Sequence, residues 1–383
     1  MKQPPNPANE PVTRLPFIDF GRGLVMVLMA WDHASAFWNP GRRANEGLMG
    51  MQPAFPNPAQ FLLRFVTHFV APTFIFLAGT SLALSATRRL ARGQSQASLS
   101  LHMVVRGMVL LAFEALLVAP AFDLPRLYFG VIACIGVCLA LFSALRFLPP
   151  SVILALSAVI ILGHPLLNLD FIPDGRAAPL GHYLRVITHE PRFDFYPYVG
   201  LYPIIPWLAV MGLGWCFGIF LHRFDWSRPQ RLALGLAGTG GVLYVAWFVV
   251  RLLNGYGNLL PRRGSALVDW LYVSKYPPSL AFLLFTFGGM CFILALGVAL
   301  QDRPGFKRGL TGAIATMGRV PLFFYLSHLW LYKVAPRPFA GLFDARLLAT
   351  AIFWVAGLAI LWQLCALYEE LKRRHPGSVL RYV

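Results

Sequence analysis

Residues 22–38, RGLVMVLMAWDHASAFW, have the length and apolar content of a membrane-crossing helix, yet they place Asp32 and His33 where lipid is expected. An ionisable group at bilayer depth costs at least a few kcal/mol, so it is normally aimed at a cavity, a partner or a substrate. The rest of the chain sets this stretch in a membrane. Of 383 residues, 57% are hydrophobic and only 13% are charged, and near-continuous apolar runs recur along the length. Such runs exclude a soluble globular class and predict an all-α, polytopic membrane helical bundle. Ten spans are expected, at about 16–38, 59–86, 102–121, 127–146, 151–167, 199–222, 231–253, 278–300, 312–334 and 346–370.

The formal charge of +17 comes from Arg and Lys in the short connections between spans. There they act as topology signals and headgroup contacts, so lipids, not nucleic acid, are the expected partners. The basic residues favour the side that carries both termini, which predicts N-in, C-in topology. The domain organisation is then a polar tail over 1–13, a membrane domain over 14–371 and a basic tail over 372–383. The Pro-rich start, MKQPPNPANEPV, lacks the apolar core and cleavage site of a signal peptide. Cys134, Cys138, Cys216, Cys291 and Cys365 fall inside spans without a zinc-like spacing and are expected to pack, not to pair or bind metal. Two long outer connections, 168–199 and 254–278, are rich in aromatic, His and Arg residues, which marks them as functional. No repeat, Walker loop or Gly-x-Gly-x-x-Gly stretch supports nucleotide-driven transport.

Helical geometry groups the buried polar residues. Arg22 and His33 are about three turns apart, nearly on one face and about 16 Å apart along the axis. Counted from the span boundaries, His68 lies roughly 14 Å into the second span and Glu114 roughly 18 Å into the third, so three consecutive helices bring ionisable groups to a similar depth. His33 supported by a carboxylate has the makings of a general base, or of a group that takes an acyl unit transiently. Asp32 points about 100° away from it on the helix, which leaves Asp32, His68 and Glu114 all candidates for the supporting role. His328, on a later span, is read either as an interfacial His among belt aromatics or as a substrate-binding residue. Arg22, Arg106 and Arg319 lie toward the inner ends of their spans. They either snorkel to headgroups or hold the phosphates of a cofactor.

Six stretches carry a family resemblance: 14–38, HFVAPTFIFLAGTSLAL (68–84), RGMVLLAFEALLV (106–118), YPIIPWLAVMGLGWCFG (202–218), SKYPPSLAFLLFTFG (274–288) and GRVPLFFYLSHLWLY (318–332). They resemble, in order, bacterial membrane proteins with a heparan-α-glucosaminide N-acetyltransferase catalytic domain, part of a superfamily of transmembrane acyltransferases. The Arg22-to-His33 spacing also resembles the Arg-x10-His signature of the sugar O-acyltransferase branch. The resemblance implies about ten core helices in a bacterial inner membrane and an acetyl-CoA donor without a metal. It also implies transfer of the acyl group across the membrane to a sugar or glycolipid acceptor. Arg22 would then engage CoA and His33 would act at the transfer centre. In the lysosomal N-acetyltransferase, however, the implicated His precedes the second core helix, and MQPAFPNPAQF (51–61) contains none, so the role divides between His33 and His68. The rival class is a proton-coupled transporter or lipid flippase using the same buried groups. A homodimer is compatible with either reading.

Overall fold

The computed structural model describes residues 15–334, 346–375 and 378; the tail 1–13 and the end of the basic tail lie outside these. Among the described residues there is no strand. Two isolated bridges join Phe129 and Arg192 to Gly200. Apart from the short helix Leu267–Leu271, the α-helices are α1 (Pro16–Trp38), α2 (Pro58–Ala91), α3 (Gln96–Ala121), α4 (Val131–Leu145), α5 (Pro150–Gly163), α6 (Pro179–Thr188), α7 (Ile204–Arg223), α8 (Pro229–Leu253), α9 (Leu280–Leu300), α10 (Gly309–Arg319), α11 (Pro321–Val334) and α12 (Arg346–Arg374). All ten expected spans are helical, and the last but one is broken at Val320 ahead of Pro321, giving α10 and α11.

Length and apolar composition suffice for crossing a membrane in α2, α3, α7, α8, α9 and α12, while α4 and α5 are shorter apolar helices. The chain is a helical membrane bundle. Burial sorts these helices. Some 61% of the apolar window of α2 and of α9 is covered by protein, against 11% for α8, whose side chains are left to lipid. The starts of several helices are fixed locally. Asn57 accepts from the Gln60 N–H and precedes Pro58 at the head of α2; Ser95 and Ser279 cap α3 and α9 in the same way.

At the centre runs α1, packed against α2, α9, α10, α11 and α12. Its contact with α10 is backbone to backbone. A Cβ on Gly23 would fall on the Ile314 carbonyl oxygen, and one on Gly318 on the Asp19 carbonyl oxygen. Small residues let membrane helices approach this closely, where dispersion and weak polar contacts drive association. Gly79 and Gly214 play the same part between α2 and α7. Tryptophan N–H groups tie the other contacts: Trp31 donates to the Leu63 carbonyl at 3.2 Å and Trp38 to the Tyr332 carbonyl at 2.8 Å. All five cysteines are free thiols, four of them buried.

The connections 39–57, 122–130, 164–203 and 254–279 gather at one end of the bundle, here the loop end. There the Glu46 carbonyl accepts from the N–H groups of Lys275 and Tyr276, and Phe129 pairs with Val199 and Leu201. The opposite, short-turn end carries 92–95, 146–149, 224–228 and 301–308.

Candidate active site

Beneath the loop end lies a cavity of about 180 Å³. Asp32 and His33 of α1 form one wall, and Tyr128, Tyr202, Tyr276 and Tyr325 supply much of the rest, with Arg42 at the rim. His33 sits roughly 8 Å from the end of α1, nearer the loops than the middle of the helix. Its ring meets Phe122 edge-on, with centroids 5.2 Å apart.

The His33 Nδ1 lies 2.7 Å from Nε2 of His328, and the His328 Nδ1 lies 2.8 Å from the Phe324 carbonyl oxygen. The two rings are inclined by only 10° with centroids 5.0 Å apart. That separation is the nitrogen–nitrogen distance plus one ring radius on each side, so the imidazoles bond edge to edge in a common plane and are not stacked face to face. His328 is fully buried and both its nitrogens are engaged. Among the described residues, the Nε2 of half-buried His33 has no hydrogen-bond partner.

Asp32 turns away from His33, as the helical angle requires. Its carboxylate takes Arg64 Nη1 on both oxygens at 2.8 and 2.9 Å and Arg42 on Oδ1 at 3.0 and 3.2 Å. Arg64 then makes a two-pronged pair with Glu46, at 2.7 and 2.9 Å. Arg64 and Glu46 are almost wholly buried, so this is a desolvated Asp–Arg–Glu array with good geometry on every charge. Burial alone would raise the Glu46 carboxyl; the Arg64 charge and hydrogen bonds outweigh it and hold the group well below the usual carboxylate range. Lys275, also buried, places its ammonium 5.2 Å from the centre of the Tyr276 ring. Burial pushes the Tyr276 phenol up, but Lys275 and Arg64 more than compensate and bring it down. Arg42 and Asp32 line the cavity, and Arg64, Lys275 and Glu46 lie behind them, so three cations face two carboxylates at this corner.

The other expected residues separate. His68 packs edge-on against Phe65 and Phe282 behind this array, its Nε2 3.6 Å from Glu46. It reaches Asp32 only through Arg64 and Glu46. Glu114 opens a π turn, Glu114–Val118, and accepts the Ala133 N–H at 2.8 Å, satisfying one of the free amides at the head of α4. It sits a turn from Val118 of the cavity wall and makes no contact with His33. The similar depth of the three groups thus resolves into a dyad, an ion array and a helix cap.

Toward the short-turn end, Arg22 donates to the Gly318 carbonyl at 3.0 Å and to the Ser81 hydroxyl at 2.5 Å, joining α1, α2 and α10. Arg319, the next residue after Gly318, holds Glu369 of α12 at 2.7 Å. These two are neighbours. Arg106 is on α3, which begins at Gln96, so it lies roughly 15 Å into the helix, within electrostatic reach of Arg89.

Arg42, Glu46, Arg64, Lys275 and the tyrosines were not singled out from the sequence. Arg64 alone left a signal there: a charge inside a span, one turn before His68 on the same helix face.

No curated protein matches the chain. The family model for the heparan-alpha-glucosaminide N-acetyltransferase catalytic region matches residues 14–245, which takes in α1 to most of α8, hence Asp32, His33, Arg64 and Glu114, and stops short of Lys275 and His328. With more than half its length matched, the chain belongs to the heparan-alpha-glucosaminide N-acetyltransferase catalytic-domain family, a family of transferases.

Proposed function

We propose that this protein transfers an acetyl group from acetyl-CoA, approaching from the short-turn end, to a hydroxyl or amine of a sugar or glycolipid acceptor in the loop-end cavity. The observation that carries the reading is His33: an imidazole in the wall of an aromatic-lined cavity, bonded on one nitrogen and without a partner on the other. A positioned base of this kind takes the proton of the acceptor as it attacks the acetyl carbonyl carbon. The tyrosines and Phe122 offer flat faces to a sugar ring. Arg42, whose side chain lines the cavity, stabilises the oxyanion that develops on the acetyl oxygen. Asp32 is the counter-charge that keeps Arg42 and Arg64 in place.

At the other end, Arg22, Arg106 and Arg319 are the groups proposed to meet the phosphates of CoA. The bacterial inner membrane, with both termini cytoplasmic, puts that end on the side where acyl-CoA is made. His68 and Glu114 serve as supports in this scheme, His68 behind the ion array and Glu114 under α4. The buried array of Asp32, Arg64, Glu46 and His68 would also suit a proton-coupled transporter.

Incubating the purified protein with radiolabelled acetyl-CoA and membrane lipid extract or amino sugars separates the two. Release of CoA with label in a sugar or lipid fraction is expected. Proton flux in liposomes, with no CoA released from acetyl-CoA whichever acceptor is supplied, would overturn the acyltransferase reading.

A further inference from the structure

The His33–His328 contact contains more than a pair of neighbours. The Phe324 carbonyl can only accept, so the His328 Nδ1 beside it carries a proton. A neutral His328 then has a bare Nε2. That nitrogen is the one 2.7 Å from His33 Nδ1, so the single proton between the two rings belongs to His33 Nδ1. A neutral His33 protonated there has its lone pair on Nε2. The near-coplanar rings point the bonding orbitals of both nitrogens along the contact.

We propose that His328 is a positioning residue, fixed by the Phe324 carbonyl, that holds His33 in the Nδ1–H tautomer and receives its proton during acyl transfer. The inference rests on the acyltransferase reading for its chemical step, but the tautomer itself belongs to the resting protein. The acceptor oxygen or nitrogen forms a bond to the acetyl carbon and gives its proton to His33 Nε2. The Nδ1 proton can then move to His328 Nε2, so that one positive charge is shared between two imidazoles. Phe324 stabilises that charge through its carbonyl dipole. As the carbon–sulfur bond breaks, the protons return along the same line and His33 Nε2–H passes one to the CoA thiolate. Atoms and charge balance, and both rings end neutral.

This assignment explains why a fully buried His occupies position 328. Its lack of exposure excludes direct contact with the acceptor, while its two bonds are what fixing a tautomer requires. The electrostatic surroundings of His33 include Asp32, Arg42 and Lys275, but its hydrogen bond is to His328. In carboxylate–His–nucleophile systems, the partner on the far nitrogen plays this orienting part, and loss of the correct tautomer is costly.

Two substitutions and one spectrum test it. His328→Leu removes the acceptor for His33 Nδ1–H, and kcat should fall by about 100-fold or more, with KM for acetyl-CoA changed less than about threefold. His328→Gln places an amide oxygen near the lost Nε2. It restores the hydrogen bond but not proton uptake, and should recover about tenfold over the Leu variant. Solid-state 15N spectra of histidine-labelled protein, with His33 assigned by difference against His33→Gln, should show His33 protonated at Nδ1 and bare at Nε2. Wild-type His33 bare at Nδ1, or His328→Leu with unaltered kcat, overturns the inference. If the wild-type protein releases no CoA at all, the acyltransferase reading fails, while the spectrum still decides the tautomer.

Discussion

Two histidine pairs occur at the loop end, and they differ in almost everything but composition. In the first, His33 and His328 meet at 2.7 Å in one plane; the outer partner is anchored on a carbonyl and the inner one borders a cavity. In the second, His164 Nδ1 and His189 Nε2 are 3.3 Å apart with rings inclined by 67°, and the remaining nitrogens, His164 Nε2 and His189 Nδ1, are buried without a hydrogen-bond partner. Proximity of two imidazoles does not make a proton relay. What distinguishes the first pair is a fixed proton at one end and an open lone pair at the other.

The widest gap between the pairs should appear on truncation. His33→Ala is expected to lower acetyl transfer by about 10²–10⁴-fold, the span of general-base contributions, while acetyl-CoA binding persists. Normal turnover would place the chemistry at His68 or elsewhere and erase the contrast.

The ion array beside the first pair gives the next largest effect, this time on stability. Glu46→Ala leaves the Nε and Nη2 donors of buried Arg64 without an acceptor while Asp32 still faces Nη1, and losing such charge-assisted bonds costs about 1.5–3 kcal/mol. The pH dependence follows from the depressed Glu46 carboxyl. Its folded value lies below its unfolded value, so its stabilisation is complete above about pH 4.3 and is lost as pH falls through the folded value. Thermal melts of wild type and Glu46→Gln should therefore converge on acidification. A difference that widens instead would mean that Glu46 is not ionised in the native protein.

Arg22→Ala sharpens the contrast between the two ends of the bundle. A charge-assisted contact to phosphate is worth about 1.5–3 kcal/mol, so acetyl-CoA affinity should weaken by about 10- to 100-fold, read by calorimetry on the solubilised protein. Unchanged affinity would make Arg22 purely a clamp on Gly318 and Ser81.

The smallest effect is reserved for the second pair. His164→Leu and His189→Leu should each leave transfer within about threefold of wild type, because neither ring borders the cavity that holds His33. A loss comparable to that of His33→Ala would show that the two pairs act together.

These contrasts also mark how far the sequence could be read. Apolar runs of span length announced every helix from α1 to α12 except α6, which lies in an extramembrane loop, because bilayer thickness imposes length on each segment independently. The break at Val320 followed from Pro321 only once packing was known, and α3 began six residues earlier than hydropathy suggested because Ser95 caps it. His33 stood out because the cost of burying it is local. Its partner on α11 could not be deduced, since no periodicity links positions 33 and 328. The equal depth of His68 and Glu114 was legible, but depth fixes one coordinate and leaves rotation free; rotation sends Glu114 to the head of α4 and His68 behind Arg64. Glu46 and Arg42 lie in an irregular loop, NPGRRANEGLMG (39–50), where the sequence has no period from which to read a direction.

The glycine contact between α1 and α10 has a mechanical corollary. With Gly23 seated on the Ile314 carbonyl and Gly318 on the Asp19 carbonyl, neither helix can slide past the other without driving a peptide oxygen over a Cα. The pair behaves as a welded rail that carries Arg22 toward one end and His33 toward the other at fixed spacing. On the proposed reading, the crossing of the bilayer is accomplished by the reach of the pantetheine arm along this rail, and the freight that changes sides is two carbons and an oxygen.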